Sequence, residues 1–552
     1  MIGLVVVSLF SIGIISKTTG IPTVSYPEFK DVTVLTLHFF ILYTISIVIL
    51  IPIIEEYFWR GYAQGQLTNI FGGKVAIFLQ AFLFALLHWY LPLGFILVFI
   101  NALIFGIWRH KRHSLLPIII AHMVWNGLWA LGHIPFQYEM SKVNITINYV
   151  DELNKIGNIR PEEDNAAPYY RQAWNSFVEP TEELDFLKDT LWVNELTSPQ
   201  ILALKKWIEL NQIALSHFKQ GALKKAYWPG YTDDSMMEIG FSQNYQKVKH
   251  LPKALCWNAK LLATEGHIKA AVDELTVCYR LGQHMAEAPK PFISQLMGFG
   301  MKGQARYTGL IILDNCNLTK EELEYFRIQF HSSFTSCPST IDLTAEHLTI
   351  MDTIQRLFTD CGNGDGHLPK LERINANSKM IQVLYSGLTK ELAEKINESK
   401  RKETVEITNT LFEALEEALT KTPFELHEQN IDIYALIQDI AGTNIISLYM
   451  SGMSSQHTIF YNTIAQEKAL EVILALFQYK IIHNEFPKVL NELVQEDLLT
   501  SLPVDPYSDQ SFIYQEIDNS FTLYSLGRDF IDDGGDIKKD LLFWPIQYDE
   551  KK

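Results

Sequence analysis

Charge is scarce in the first quarter of this 552-residue sequence, and cysteine is scarce throughout it. Up to residue 140 there are 7 Lys/Arg and 5 Asp/Glu; against totals of 46 and 63 that leaves 39 and 58 for the remainder. The balances are +2 before the cut and -19 after it, within an overall -17. So acidic a remainder speaks against nucleic acid as a partner, because binding there needs cations to replace phosphate counterions. The five cysteines, Cys256, Cys278, Cys316, Cys337 and Cys361, all follow the cut and contain no CxxC pair. A zinc ribbon and a thioredoxin-type motif are thereby excluded. No HExxH string occurs, so the helical zincin signature is missing, and no sustained 34-residue repeat supports a solenoid.

What the first quarter does contain is long apolar runs. Residues 2 to 16 and 33 to 54 carry no Asp, Glu, Lys or Arg, and further runs cover about 75 to 91, 93 to 108 and 115 to 136. The later runs approach the roughly 20 residues that cross a ~30 Å hydrocarbon core, which predicts four or five spanning helices. The first 16 residues read alternatively as a signal peptide, although no basic stretch precedes the apolar run and no small-x-small cleavage site follows it. The expected fold is mainly α: a polytopic transmembrane helical domain at 1–136, a large, mostly helical soluble domain at 137–460, and a small α+β module at 461–552. The densest basic cluster of the first quarter, Arg109, His110, Lys111, Arg112 and His113, belongs in the cytoplasm by the positive-inside rule. Helix counting then puts the acidic remainder on the other side, where one or two disulfides could form. The resulting expectation is an integral membrane protein with an extracytoplasmic acidic domain.

Ionisable residues are costly in such runs and are functional candidates by default. Three groups qualify. Glu55-Glu56-Tyr57-Phe58-Trp59-Arg60 continues the run ending at Ile54. On a helix, Glu56 and Arg60 share a face and can pair, while Glu55 points about 100° away. Phe84 to His88 forms FxxxH, and His122 to Asn126 forms HxxxN, with both polar residues on one helical face. Each group has a plain alternative: an interfacial charge cluster for the first, and hydrogen bonds between helices for the other two.

In this order, EExxxR, FxxxH and HxxxN resemble the CPBP family of intramembrane proteases, which includes type II CAAX prenyl endopeptidases and bacteriocin-processing or immunity proteins. The resemblance covers about residues 33 to 136 and rests on Glu55, Glu56, Arg60, Phe84, His88, His122 and Asn126. It implies an intramembrane endopeptidase acting on a protein or peptide substrate at a membrane. Glu55 would be the general base and His88 would help to hold the water. His122 and Asn126 would be oxyanion donors, and the Glu56–Arg60 pair would fix the helix that presents Glu55. Two histidines and a glutamate are also a common catalytic zinc set, so a divalent metal on Glu55, His88 and His122 stays open beside metal-free hydrolysis. Family members usually carry more helices ahead of EExxxR than the two available here. The competing readings are a catalytically inactive membrane-anchored binding or immunity protein and a cell-envelope scaffold.

The acidic remainder reads as mostly helical. LCWNAKLLATEGHIKAAVDELTVCYRLGQ predicts two helices about a turn at Gly266. The loop from Cys361 to Glu372 has residues at EF-hand positions 3, 5, 6 and 12 but a cysteine at position 1, which favours a Gly-rich turn over a calcium site. Near the end, a helix about Ala469 to His483 leads through Asn484-Glu485-Phe486-Pro487 into strand-like runs near 511 to 515 and 520 to 526, then an acidic loop. This order resembles the globular part of type II secretion pseudopilins. Calcium on Asp529 with Asp536 or Asp540 is what that resemblance implies, set against a solvated acidic turn.

Overall fold

In a computed structural model the chain is described at residues 44–88, 92–140, 143–157, 161–182, 184, 196–239, 250–334, 340–360, 362, 364–368, 396, 398–517 and 519–546. The apolar run at 2 to 16, the start of the run at 33 to 54, Cys337, and Cys361, Asn363 and residues 369–372 of the EF-hand-like loop lie outside these residues. The chain divides into two compact units: residues 1–146, 354–404 and 443–445 form the first, and 147–353, 405–442 and 446–552 the second.

The first unit is helical. A π-wound turn at Ser46–Leu50 leads into α1 (Ile51–Glu56), a second π segment at Tyr57–Ala63, and α2 (Gln64–Phe71). Gly72, at φ 79°, breaks the helix in a conformation that side chains with a Cβ avoid, and α3 (Gly73–Leu86) follows. Then come α4 (Pro92–Arg112) and α5 (Leu116–Met140). Small residues set how closely α3 and α4 approach. Ala81 and Ala102 are fully enclosed with Phe84, and a Cβ on Gly106 would fall 2.6 Å from Gln80 Nε2. The polarity is inverted relative to a water-soluble bundle: Glu56, Arg60, Gln64, Gln80 and His122 are buried, while Ile54, Tyr62, Ile70, Phe78 and Leu87 are exposed.

The expectation of a polytopic transmembrane domain is not met. Among the described residues no helix is long and apolar enough to cross a membrane. At 14 residues, α3 spans only about 21 Å. The stretch through α1 and α2 changes winding twice and encloses an ion pair, and α4 closes on Arg109, His110, Lys111 and Arg112.

The second unit has one large core. The helices α6 (His250–Thr264) and α7 (Ile268–Ala286) meet at Gly266, whose φ of 84° is the turn the sequence predicts. Against them pack α8 (Phe292–Asn315), α9 (Lys320–Phe334) and the 31-residue α10 (Met453–His483). Gly282 and Gly298 let α7 and α8 touch backbone to backbone: a Cβ on Gly298 would lie 2.4 Å from the Gly282 carbonyl oxygen. Cys256 and Cys278 are buried free thiols with sulfurs 3.8 Å apart, and Cys316 is also free, so none of the described cysteines forms a disulfide.

The chain ends in an antiparallel sheet of order β1 (Ile513–Ile517), β2 (Ser520–Ser525), β3 (Leu541–Trp544). Ile513 faces Tyr524 and Ile517 faces Ser520 across the first hairpin, and a register shift between Leu523 and Tyr524 interrupts the second ladder. Phe521 and Trp544 stack at 5.4 Å, and both rings meet Phe477 of α10, which fastens the sheet to that helix.

Candidate functional site

Glu55 and Glu56 end α1 where the backbone passes into the π segment. Such local widening is frequent at functional sites, because it re-aims side chains that a regular helix would place elsewhere. Glu56 points inward, at 0% exposure. Glu56 Oε1 accepts a hydrogen bond from Arg60 Nη1 at 2.9 Å and another from His122 Nδ1 at 2.8 Å. With Nδ1–H spent on Glu56, the other ring nitrogen of His122 faces Glu55, with Nε2 3.7 Å from Glu55 Oε2. The glutamate pair is therefore divided. One carboxylate is walled in and clamps a histidine, and the other is part-exposed beside that histidine's free edge.

Arg60 is fully enclosed, with its guanidinium 4.5 Å from the centre of the Phe84 ring and 5.6 Å from that of Phe105. Its own carbonyl accepts a hydrogen bond from Arg109 Nε at 3.2 Å. Phe84 is the floor of the site. Its ring lies 4.9 Å from His88, 6.3 Å from His122 and 5.8 Å from Trp59. His88 donates from Nδ1 to the Phe84 carbonyl at 2.9 Å; a carbonyl only accepts, so the bond fixes that tautomer. Glu55 lies within electrostatic reach of both histidines and of Arg60.

Asn126, one turn beyond His122, donates from Nδ2 to the Ile47 carbonyl at 2.9 Å and so ties α5 to the turn ahead of α1. The structure thus gathers Glu55, Glu56, Arg60, His88 and His122 around Phe84 and joins Asn126 to that frame through the backbone. Sequence reasoning passed over Gln64 and Gln80. Gln64 Nε2 donates to the Gly106 carbonyl at 2.9 Å, and Gln80 Nε2 to the Ala102 carbonyl at 3.1 Å, so both hold α4 in place. Their signal was available: uncharged amides placed within apolar helices are expensive unless they bond a neighbour.

Among the described residues, no three His, Cys, Asp or Glu side chains form a group that could hold a metal ion, and Glu55, His88 and His122 do not do so. Each of the two histidines has its Nδ1 committed, His88 to the Phe84 carbonyl and His122 to Glu56. The acidic loop near the C-terminus is likewise closed on itself. Asp540 Oδ2 accepts from the Gly535 and Asp536 backbone N–H groups at 2.7 and 3.1 Å. Asp536 Oδ1 accepts from Lys538 N, and Asp529 Oδ1 from Ile531 N. These carboxylates stabilise the turn leading into β3, and Asp529, Asp536 and Asp540 do not converge as a calcium cage.

A mainly helical unit with buried polar groups enclosing a Glu–His–Glu line is the class of protein that the fold and site define. Residues 37–128 match the family model Rce1-like, described as type II CAAX prenyl endopeptidase Rce1-like. The match supports the CPBP assignment for this segment, which holds every residue of the three motifs; that family is a protease family and is membrane-associated. No curated protein and no solved structure matches the chain. The pseudopilin likeness of the C-terminal module stays a resemblance.

Proposed function

We propose that the segment is an endopeptidase that hydrolyses peptide bonds of membrane-associated proteins or peptides with a water activated by Glu55. The observation that carries this reading is the setting of His122, held through Nδ1 by Glu56 and turned with Nε2 toward Glu55 at 3.7 Å. That separation is longer than a direct hydrogen bond, and a gap of this kind between polar groups is where a bridging water acts.

In the reaction, the water oxygen attacks the carbonyl carbon as its proton passes to Glu55. The negative charge that forms on the carbonyl oxygen is met by the second amide hydrogen of Asn126 and by the Nε2 edge of His122. The C–N bond then breaks, and the proton held on Glu55 goes to the leaving amine. Arg60 takes no part in these steps. It neutralises Glu56, which would otherwise be an unpaired buried charge, and so keeps His122 in one orientation. The outward apolar side chains support an apolar surrounding and a substrate that arrives through it.

The test is cleavage of labelled peptides with apolar termini by the full-length protein and by Glu55→Gln, which keeps the shape and removes the base. Loss of a positioned general base lowers the rate by about 10²–10⁴-fold. Equal cleavage by the two proteins refutes the role of Glu55.

A further inference from the structure

We propose that the second unit contains a binding site for an apolar monocarboxylate: a fatty acid, or the C-terminal residue pair of an apolar peptide. The site is separate from the protease-like segment, and the proposal does not rest on that segment's activity. A cavity of about 520 Å³ lies between α8, α10 and the end of the sheet, within the usual size range of small-molecule pockets. Its walls are apolar, built from Leu310, Leu470, Ile473 and Phe543 among others.

Two cations line the cavity, Arg306 and Lys253, and among the described residues no Asp or Glu does. In a chain with a net charge of -17 this is a local reversal of sign. Arg306 is the decisive group. It is only 9% exposed, it donates from Nη2 to Gln466 Oε1, and its Nη1 is buried without a hydrogen-bond partner in the protein. An enclosed guanidinium edge of this kind costs free energy unless something accepts from it.

The carboxylate next along α10, Glu467, acts on Arg306 through space but makes no hydrogen bond to its Nη1. Glu467 is already engaged by Lys302 Nζ at 2.6 Å and by the Tyr279 hydroxyl at 2.5 Å. A ligand carboxylate suits this group because it accepts from a guanidinium edge in planar geometry. Gln304 lines the same cavity, with its Oε1 buried and unpartnered, and offers an acceptor to a donor such as a peptide N–H. The apolar walls accommodate the rest of the molecule. Gly300 and Gly303 keep the α8 side open, since a Cβ on Gly300 would meet no atom within 4 Å.

Calorimetric titration of the full-length protein with decanoate, decanol, Ac-Leu-Phe with a free carboxylate, and Ac-Leu-Phe-amide tests the site. At least one acid should bind at least tenfold more tightly than its uncharged counterpart, and which acid does so identifies the source. Arg306→Gln should abolish that preference. Gly300→Met places a side chain in the open space of an otherwise regular helix and should block both acids while leaving the melting temperature unchanged. Absence of binding by wild type, equal binding of acid and uncharged analogue, or undiminished binding by Gly300→Met overturns the proposal. Gly300→Met decides the matter on its own if Arg306→Gln does not fold.

Discussion

Replacing Arg60 by Met tests whether the ion pair under the candidate site is structural. Both side chains of the Glu56–Arg60 pair are at 0% exposure, and their hydrogen bond is 2.9 Å long. Removing one partner of such a pair leaves the other as a buried charge and costs about 3–5 kcal/mol. Loss of the cation over Phe84 at 4.5 Å adds to this, by up to about 2 kcal/mol for a desolvated contact. Met fills much of the volume and returns some packing, and His122 still donates to Glu56 at 2.8 Å, so the lower figure, about 3 kcal/mol, is the better expectation. Amide hydrogen exchange followed by mass spectrometry on peptides covering Ile51–Glu56 and Gln64–Phe71 reads this directly, because local opening free energy sets the exchange rate. At 1.4 kcal/mol per tenfold, exchange should quicken on the order of 100-fold. The double variant Glu56→Gln/Arg60→Met, which leaves no orphaned charge, should recover most of the protection. Protection unchanged in Arg60→Met, or a double variant that fares as badly as the single one, would show that the pair does not carry the local fold.

Three further outcomes are expected. Gly298→Ala forces α7 and α8 apart, because the new Cβ would lie 2.4 Å from the Gly282 carbonyl oxygen, and overpacking of this kind costs about 1–3 kcal/mol; a lowered melting temperature checks it, and an unchanged one contradicts the close crossing. Desolvation raises the Glu346 carboxyl to about 7, even though it accepts a hydrogen bond from the Phe292 backbone N–H. The folded state therefore holds that proton more tightly than the unfolded state does, so stability should fall as pH rises from about 4.5 to 7 and level off above that, by up to about 3 kcal/mol. Glu346→Gln should flatten this part of a plot of melting temperature against pH, and an identical slope in the variant would assign the dependence to other groups. Finally, peptide cleavage should continue undiminished after treatment with a chelator, since Glu55, His88 and His122 do not gather as ligands; inactivation restored by zinc would reinstate the metal route.

The legible part of the site was its local part. Glu56 and Arg60 are four residues apart, so helical winding alone brings them together, and the sequence shows their pairing without any knowledge of the fold. Gly266 was legible for the same reason, as a turn residue between two amphipathic stretches. The π segment at Tyr57–Ala63 was not, because nothing in YFWRGYA distinguishes it from an α-helix. The span prediction failed on length and on interruption. Hydropathy summed along the chain counts Glu56 and Arg60 as breaks in an apolar run when they are its enclosed interior.

By itself, the sequence determined the mainly helical character, the acidic remainder, the three motifs with their family likeness, and the two strands that precede the final acidic loop. These follow from periodicity, composition and short spacings, which are properties of neighbouring residues. Tertiary structure alone decided that His122 reaches Glu56 across 66 positions, that Phe84 floors the site under Arg60, and that Leu541–Trp544 completes the sheet. It also decided that Arg306 lines a cavity and that its Nη1 is buried without a hydrogen-bond partner. Contacts between distant segments depend on which surfaces exclude solvent together and which buried polar groups find partners. No local pattern encodes that choice.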